Sequence, residues 1–341
     1  MPRTQVKYGS AGVFVGTTPS SAGGAATQLH RIQSFSDSFN LPLEDINQFG
    51  ETAAIAKIAN AAPTPTMEFT YYVTDGANEA ALGLSGGGSI IAGILDASSD
   101  EKSYFATFSP EGQDANDVAG DFTVGLGHGF ISSYSCSASI GGFMEANVSI
   151  EGSNYVVEAG SSATPAIDPV TGEPTGTTSI PPMTDGGTMP KVIKRGDIQI
   201  TGLPAGLLGA DLTSANIQSF SVNVDLPRQS LERLGSNYVV SRPLQTPISA
   251  TVSFDFVVSE LAEGNLDEIF TGCEATVFDF QIVGSPCVGT ENINTFSIDV
   301  RGAYLESQNT SLDIGSDRNG SVTFTVPLGA ATDVDQGIFI V

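Results

Sequence analysis

Apolar and polar residues alternate in four short segments of the first half of the chain. In residues 32–41, for example, Phe35, Phe39 and Leu41 share one parity, while serines and an asparagine take the other. Such alternation predicts a strand with one buried face and one exposed face. The same reasoning predicts further strands at residues 67–73, 130–140 and 144–151.

The alternating segments occur twice in the chain. Residues 32–50 (IQSFSDSFNLPLEDINQFG) align without a gap with residues 217–235 (IQSFSVNVDLPRQSLERLG). Later in the chain, a second gapless alignment matches Phe130 with Tyr304. Self-similarity of this kind predicts a duplicated structural unit. The second set of predicted strands comprises residues 217–226, 252–258, 304–314 and 321–325.

The repeats divide the chain into three parts. Residues 1–158 and 191–341 are predicted to be two copies of one domain. Residues 159–190 are rich in Gly, Pro, Ser and Thr and contain almost no large apolar side chain. They are predicted to form an exposed linker with little regular structure. The first copy carries a short insertion between its two aligned segments, which a surface loop accommodates at low cost.

Each copy also contains one apolar run that fits a short helix between its second and third strands. These runs are residues 89–97 and residues 264–270. Asn319 and Gly320 predict a tight hairpin turn in the second copy, and Gly141 with Gly142 serves nearby in the first. A sheet with one apolar face must cover that face. The predicted fold class is therefore all-β with minor α, as two tandem β-sandwiches that each have a short flanking helix.

The charge balance argues against a protein that grips nucleic acid. The chain has 13 Lys and Arg but 38 Asp and Glu, which gives a formal net charge of -25. Such a surface repels the phosphate backbone. No run approaches the roughly 18 apolar residues of a membrane helix, and the first ten residues lack the apolar core of a secretory signal. We therefore expect no membrane association and no export by that route.

The three cysteines, Cys136, Cys273 and Cys287, form an odd set that cannot close a disulfide framework in a chain of this length. A reducing compartment is the simpler interpretation. A single bridge between Cys273 and Cys287 stays open as an alternative.

Residues suited to catalysis, metal binding or cofactor binding are not evident in the sequence. His30 and His128 are the two histidines, and they lie far apart without an obvious set of ligands. The glycine-rich segments at residues 86–88 and 125–129 lack the Lys-Ser/Thr of a phosphate-binding loop. Residues 317–320 resemble the start of a calcium loop but lack its closing glutamate. We therefore expect a protein that is not an enzyme and that uses no cofactor or metal.

The two IQSFS segments, each followed by a proline-containing segment, a strand, a short helix and paired hairpin strands, carry a family resemblance. In this pattern and element order, the chain resembles the major tail tube proteins of long-tailed bacteriophages, of the type with a doubled domain. The resemblance implies a β-sandwich with a flanking helix. It also implies that six such domains form a ring whose long strands join into a barrel of about 24 strands, through which DNA leaves the capsid.

Two domains per chain imply rings of three chains with pseudo-sixfold symmetry. The alternative is a ring of six chains in which one copy lines the channel and the other decorates the outside. The equally polar faces of both copies argue against that alternative. The resemblance further implies stacked rings of this one chain, contacts with tape-measure and tail terminator proteins, and DNA in transit only. Its implied location is the virion tail, after assembly in the host cytoplasm.

The polar faces of the predicted strands carry acidic residues and no Lys or Arg. A wall past which DNA slides must avoid cationic contacts, because each neutralised phosphate adds affinity. If these faces line the channel, six carboxylates project towards the DNA: Glu68, Glu145, Glu151, Asp225, Asp255 and Asp313. Four basic residues after the first strand of each copy are predicted to contact another subunit or ring: Lys57, Arg228, Arg233 and Arg242. A plainer interpretation is that exposed faces are often acidic and that basic loops only keep the protein soluble.

Two other classes of protein also fit parts of the sequence. Adhesive, fibre and decoration proteins of a virion or cell surface also combine tandem β-domains with faces rich in Ser and Thr. A hydrolase of surface polysaccharide fits less well, because the chain has no Trp and no evident aromatic-lined acidic pair. Electron microscopy separates these classes, since regular hollow tubes or stacked rings indicate a tail tube subunit.

Overall fold

The computed structural model describes residues 8–16, 22–85, 88–95, 100–110, 113–115, 121–183, 191–204, 211–212, 215–258, 263, 270–271, 274–285, 295–312, 314, 317–330 and 332–341. The fold class is all-β with minor α, as the sequence predicts. Among the residues described, the two α-helices are α1 (Ala77–Leu82) and α2 (Ala92–Leu95). The strands are β1 (Ala11–Gly16), β2 (Gly24–Gln28), β3 (Ile32–Asn40), β4 (Leu43–Ile46), β5 (Ala56–Ala59), β6 (Thr64–Tyr72), β7 (Lys102–Phe108), β8 (Phe122–Ser139), β9 (Glu145–Glu151), β10 (Asn154–Ala159), β11 (Ser162–Ala163), β12 (Ala166–Ile167), β13 (Pro174–Thr175), β14 (Thr178–Ser179), β15 (Ile198–Thr201), β16 (Asn216–Asp225), β17 (Ile248–Val257), β18 (Phe270–Thr271), β19 (Glu274–Ala275), β20 (Val277–Gly284), β21 (Phe296–Ser311), β22 (Asn319–Leu328) and β23 (Gly337–Ile340).

An antiparallel sheet of eight strands runs through both halves of the chain. Its order is β3-β6-β9-β8-β16-β17-β22-β21. In β6, Met67 and Phe69 are buried on one face, while Glu68 between them is exposed on the other. This period of two makes one face of the sheet apolar and the other polar. The apolar face must therefore be covered by a second layer.

Two long strands, β8 and β21, bend from the eight-stranded sheet into that second layer. The first part of β8 pairs with β7 and β10, and its last part pairs with β9 and β16. The first part of β21 pairs with β20 and β23, and its last part with β22. Both strands contain a residue with left-handed backbone near the bend, His128 (φ 49°) and Gly302 (φ 72°). The bend places the two parts of each strand in different layers.

Side chains of both layers meet in one hydrophobic core. Phe69 and Val252 of the eight-stranded sheet belong to the same buried cluster as Leu126 and Ile282 of the second layer. Helix α1 contributes Leu82 to this cluster. The arrangement is therefore a two-layer β-sandwich, with its outer polar sheet face left open to solvent.

The two halves of the chain follow the same order of strands. In the first half, β3-β6-β9-β8 form the sheet and β1-β7-β8-β10 form the second layer. In the second half, the corresponding orders are β16-β17-β22-β21 and β15-β20-β21-β23. His128 and Gly302 occupy matching positions of the sequence repeat. That the halves are two tandem domains stays a prediction.

The eight alternating segments all fall in strands, but some finer predictions need correction. Asn319 and Gly320 do not form a turn, because they are paired within β22 with Ser311 and Thr310. Gly141 does lie in a turn before β9, with a φ of 94°. The helix predicted at residues 89–97 is limited, in its described part, to α2, and α1 precedes it without having been predicted. The helix predicted at residues 264–270 lies outside the described residues except for Phe270, which belongs to β18.

The segment predicted to be an exposed linker instead packs against the first half. Four two-residue strands form within residues 159–183, and the last of them, β14, runs parallel to β2. Ala163 and Ile180 are buried in a small cluster with Phe14 and Phe105. The prediction of an exposed linker is therefore wrong for this part, since its few apolar side chains suffice to cover the outer side of β1 and β7.

Candidate assembly surface

Polar side chains cover the open face of the eight-stranded sheet from β3 to β22. One row of paired residues across five strands consists of Ser36, Glu68, Ser149, Ser133 and Asp225. Strands β17 and β22 continue this face with Ser, Thr and Asp at alternate positions. Hydroxyl, amide and carboxylate groups of this kind hydrogen-bond readily to water. The face is therefore a broad hydrated surface.

Four of the six predicted lumen-facing carboxylates lie together on this polar face. Glu68, Glu145, Asp225 and Asp255 are all exposed. They belong to four different strands of the same sheet, β6, β9, β16 and β17. The carboxylates are therefore spread across the polar face of both halves.

The other two predicted lumen-facing carboxylates differ from these four. Glu151 lies on the polar side of β9, but its Oε2 atom is 2.8 Å from Nη1 of the buried Arg242. This ion pair offsets the negative charge of Glu151. Glu151 therefore contributes less than the other four carboxylates to the negative electrostatic potential of the polar face. Asp313 lies outside the described residues.

Cations are missing from the polar face at the positions that the structure describes. Along the eight strands, the alternate positions on this side hold Ser, Thr, Asn, Asp, Glu and a few other uncharged residues. A surface that binds nucleic acid collects Lys and Arg instead. The described face lacks the cationic side chains of such a surface.

The two halves are joined by direct pairing of β8 with β16. Seven residue pairs run from Ser219 with Ser139 to Asp225 with Ser133. Two further backbone hydrogen bonds extend the junction, because the Ile140 N–H donates to Gln218 at 3.0 Å and the Leu226 N–H donates to Ser132 at 2.8 Å. The sheet is thus continuous across the boundary between the halves.

Arg228 fixes the second half to the first from beside this junction. Its guanidinium forms a two-pronged ion pair with Asp100, at 2.6 and 2.9 Å. It also donates hydrogen bonds to the backbone oxygens of Ile131 and Arg242, at 2.8 and 3.0 Å. The side chain is 1% exposed and lies over the Phe130 ring, 5.0 Å from its centroid. The site is well suited to arginine, whose planar fork carries several donors.

Arg242 makes a second set of contacts to the first half. It is buried and donates to Glu151 at 2.8 Å and to the backbone oxygen of Gly152 at 3.1 Å. The guanidinium groups of Arg228 and Arg242 therefore bind partners within the same chain. The prediction that they contact another subunit or ring is wrong for these two residues. The other two predicted contact residues, Lys57 and Arg233, are exposed.

The eight-stranded sheet ends in two strand edges that have no strand partner in the described part of the chain. At one end, β3 pairs with β6 alone. At the other end, residues 305–311 of β21 pair with β22 alone. Neither β3 nor residues 304–311 of β21 contain Lys, Arg or Pro, which commonly protect an edge from pairing. Both edges are therefore open to another strand.

Apolar side chains at these edges are exposed, although their counterparts at the β8–β16 junction are buried. Phe39 is 67% exposed, whereas its counterpart in the repeat, Val224, is 1% exposed. Leu312 of the other edge is 69% exposed, whereas its counterpart Ala138 is 9% exposed. Sequence parity predicts Phe39 to be buried, and in this chain it is not. The difference arises because the neighbouring strand that covers Val224 has no counterpart beside β3.

A buried carboxyl lies beneath the sheet and was not predicted from the sequence. Helix α1 places Glu79 in the core, where the hydroxyls of Tyr71 and Tyr134 donate to its Oε1 atom at 2.9 and 3.3 Å. Burial raises the pKa of Glu79, and these hydrogen bonds oppose the rise. The group joins α1 to β6 and β8. It is separated from the polar face by the sheet itself, so we assign it a structural role.

His128 connects the bend of β8 to the segment after β10. Its Nδ1 atom is 2.7 Å from Glu101, and its Nε2 atom lies 2.6 Å from the backbone oxygen of Ile167. Burial lowers the pKa of His128, but the hydrogen bond and charge of Glu101 outweigh this effect and raise it overall. A raised pKa in the folded state means that protonation of His128 stabilises the fold.

This linkage predicts a pH dependence of stability. The contribution of His128 protonation to the free energy of unfolding should be fully present below the pKa of about 6.5 that the residue has in the unfolded chain. It should disappear as the pH rises through the higher pKa of the folded state. Wild-type protein should therefore melt roughly 2–4 °C above Glu101→Gln in acid solution, and this gap should narrow above neutral pH. Thermal unfolding of both proteins from pH 5.5 to 8.5 measures it. A gap that does not change with pH would contradict the assignment.

Neither a metal cluster nor a membrane helix is found within the described ranges. No group of three or more His, Cys, Asp or Glu side chains there could hold a metal ion. No helix there is long and apolar enough to cross a membrane. Of the cysteines, Cys136 is a buried free thiol, while Cys273 and Cys287 lie outside the described residues.

Comparisons with protein families and with curated proteins give no match for this chain. No protein-family model matches it, and no curated protein matches it in sequence. The features of the chain that bear on its function are therefore the sheet edges, the polar face and the junction between the halves.

Proposed function

We propose that the chain is a structural subunit that associates with itself through its two open strand edges, forming closed rings that stack into a tube. The observation that carries this proposal is the β8–β16 junction, because it joins the same two kinds of edge within one chain. In the proposed ring, β21 of one chain pairs with β3 of the next chain as β8 pairs with β16. The particular assembly proposed is the major tail tube of a bacteriophage virion.

The internal junction defines the register of the proposed pairing between chains. Within the chain, Ser221 is opposite Ser137. Their counterparts in the two aligned repeat segments are Ser36 and Ser311. The internal pairs of Asn223 with Ser135 and Asp225 with Ser133 correspond in the same way to pairs between chains. These pairs are Ser38 with Asn309 and Asn40 with Ser307. The exposed Phe39 would then be covered as Val224 is covered now.

The number of chains in a ring follows from the resemblance to doubled tail tube proteins. Each chain supplies eight strands to the sheet, so three chains would close a barrel of about 24 strands. Its inner surface would be the polar face, which has acidic residues and no described cation. Such a wall lets DNA pass without binding it. Tape-measure and tail terminator proteins would be the other partners, and the assembled location would be the virion tail.

The register gives a direct test with engineered cysteines. Ser36→Cys together with Ser311→Cys, with Cys273 and Cys287 replaced by serine, should form disulfides between chains, because paired positions in antiparallel strands meet the distance requirement of a disulfide. Non-reducing electrophoresis should show dimers and trimers, with three chains as the upper limit. Crosslinked species of more than three chains would contradict the three-chain ring.

Two matched variants make this test specific. Ser137→Cys with Ser221→Cys joins paired positions inside one chain and should give an intramolecular disulfide only. Ser36→Cys with Ser307→Cys is shifted by four residues, or roughly 13 Å along the strand, and should not crosslink. Wild-type protein that shows no rings or tubes by electron microscopy, together with no crosslink, would reject the proposal and favour an adhesive, fibre or decoration protein.

A further inference from the structure

The hairpin formed by β4 and β5, residues 43–59, is exposed along its whole length. Leu43 pairs with Ala59 and Ile46 pairs with Ala56. Every residue from 43 to 59 is exposed, including Leu43 at 54%. Apolar side chains on a protruding hairpin are unusual unless the hairpin meets a partner. We refer to residues 43–59 as the exposed hairpin.

The second half contains a matching hairpin, but there it is docked. Arg228 bridges to Leu244 and Leu231 to Ser241, which are the same two pairs at the matching positions of the repeat. The turns match as well, since Gly50 and Gly235 have φ values of 91° and 88°. We refer to residues 228–244 as the docked hairpin. Its side towards the first half carries the buried Arg228 and Arg242 described above.

From this difference we infer that the exposed hairpin docks on the second half of another copy of this chain, over β21 and β22. The inference rests on the proposed ring assembly. In the ring, the first half of one chain would meet the second half of its neighbour as the two halves meet within one chain. The exposed hairpin would then occupy the place of the docked hairpin, with Leu43 and Lys57 at the positions of Arg228 and Arg242.

The receiving surface on the second half has the chemistry that this contact needs. Arg228 lies over Phe130, and the counterpart of Phe130 in the second copy is Tyr304, whose ring would receive the apolar Leu43 instead of a cation. Arg242 pairs with Glu151, whose counterpart is Thr325. A carboxylate is nevertheless present there, because Glu306 accepts a hydrogen bond from the Thr325 hydroxyl at 2.6 Å.

Lys57 and Glu306 are therefore the charged pair that we assign to the contact between copies. Glu306 is exposed. In the single chain, Lys57 pairs with Asp45 at 2.8 Å, but both side chains are largely exposed, and such a pair contributes little. Lys57 can therefore exchange this partner for Glu306 of a neighbouring copy without a large loss.

Crosslinking tests the inferred contact separately from the ring itself. Lys57→Cys with Glu306→Cys should give disulfides between chains under assembly conditions. Lys57→Cys with Val334→Cys, which places the second cysteine at an exposed position next to β23, should give none. If Ser36→Cys with Ser311→Cys crosslinks and the Lys57 with Glu306 pair does not, the hairpin inference is wrong and the ring stands. If only the Lys57 with Glu306 pair crosslinks, the hairpin docking stands and the proposed strand pairing is wrong. If neither pair crosslinks, both proposals are wrong.

Charge reversal supplies a second, functional readout. Lys57→Glu should raise the protein concentration needed for half-maximal assembly roughly tenfold, since it places two carboxylates together. Lys57→Glu combined with Glu306→Lys should restore assembly, whereas Lys191→Glu, the same charge change at an exposed site elsewhere, should have little effect. Circular dichroism should first show that Lys57→Glu and Glu306→Lys each fold. If the double variant then fails to restore assembly, the assigned pair is wrong.

Discussion

Replacing Arg228 with alanine should destabilise the chain by about 3–5 kcal/mol, the range found when one partner of a buried ion pair is removed. The substitution would leave Asp100 largely buried without its partner, and the backbone oxygens of Ile131 and Arg242 would lose their donor. Burial already raises the pKa of Asp100, and Arg228 opposes that rise. Unfolding in urea, followed by circular dichroism, should show the loss as a lower midpoint.

Arg233→Ala is the matched control for this experiment. Arg233 lies in the same docked hairpin but is exposed, so its replacement should change stability by no more than about 0.5 kcal/mol. Arg228→Lys should recover only part of the loss, because a single ammonium cannot reproduce the two-pronged contact with Asp100. Equal midpoints for Arg228→Ala and Arg233→Ala would show that the guanidinium does not join the halves.

The sequence predicts the strands well because their signal is local. Met67, Phe69 and Tyr71 alternate with polar residues, and this alternation alone determines which face of β6 enters the core. The same rule fails at Phe39, whose parity matches a core position but whose side chain is exposed. Burial there depends on a neighbouring strand from far along the chain, or from another chain, and no local pattern contains that information.

The arginine contacts show a second limit of sequence reasoning. Arg228 and Arg242 resemble solvated loop residues in the sequence, yet both are buried against the first half. Their partners Asp100 and Glu151 are 128 and 91 residues away. One signal was available: Leu43 occupies the position of Arg228 in the first repeat, so the two hairpins differ in chemistry where they match in sequence position.

The segment after β10 differs from its sequence-based prediction for a related reason. Its composition is typical of a linker, but Ala163 and Ile180 are buried, and the backbone of Ile167 contacts His128. Small apolar residues give a weak sequence signal, because they cover a surface without forming a periodic pattern. The outer side of β1 and β7 offers Phe14 and Phe105 for them to cover.

The proposed channel makes its strongest prediction for charge reversal on the polar face. Glu68, Glu145, Asp225 and Asp255 are exposed there, so changing all four to Lys should leave the fold intact. Glu151 must be kept, because a lysine at that position would face the buried Arg242. Rings of the variant should therefore assemble, with a cationic wall in place of an acidic one. A matched control reverses four exposed carboxylates that lie outside the eight strands of this face: Asp114, Glu173, Glu263 and Asp335.

Release of DNA through tubes built from the four-lysine variant should slow by at least about tenfold at low salt, because each phosphate that binds a lysine adds an electrostatic contact. Retention of DNA by the variant should weaken steeply as the salt concentration rises. The logarithm of its affinity for DNA should fall against the logarithm of the salt concentration with a slope of roughly 0.9 per phosphate contact. Wild-type tubes should not retain DNA at low salt, because the acidic wall repels DNA and this repulsion is screened least when the ionic strength is low. DNA ejection from assembled particles at low and at high salt would measure both effects. If the control variant slows release as much as the four-lysine variant, or if the four-lysine variant releases DNA normally at low salt, the polar face does not line the channel.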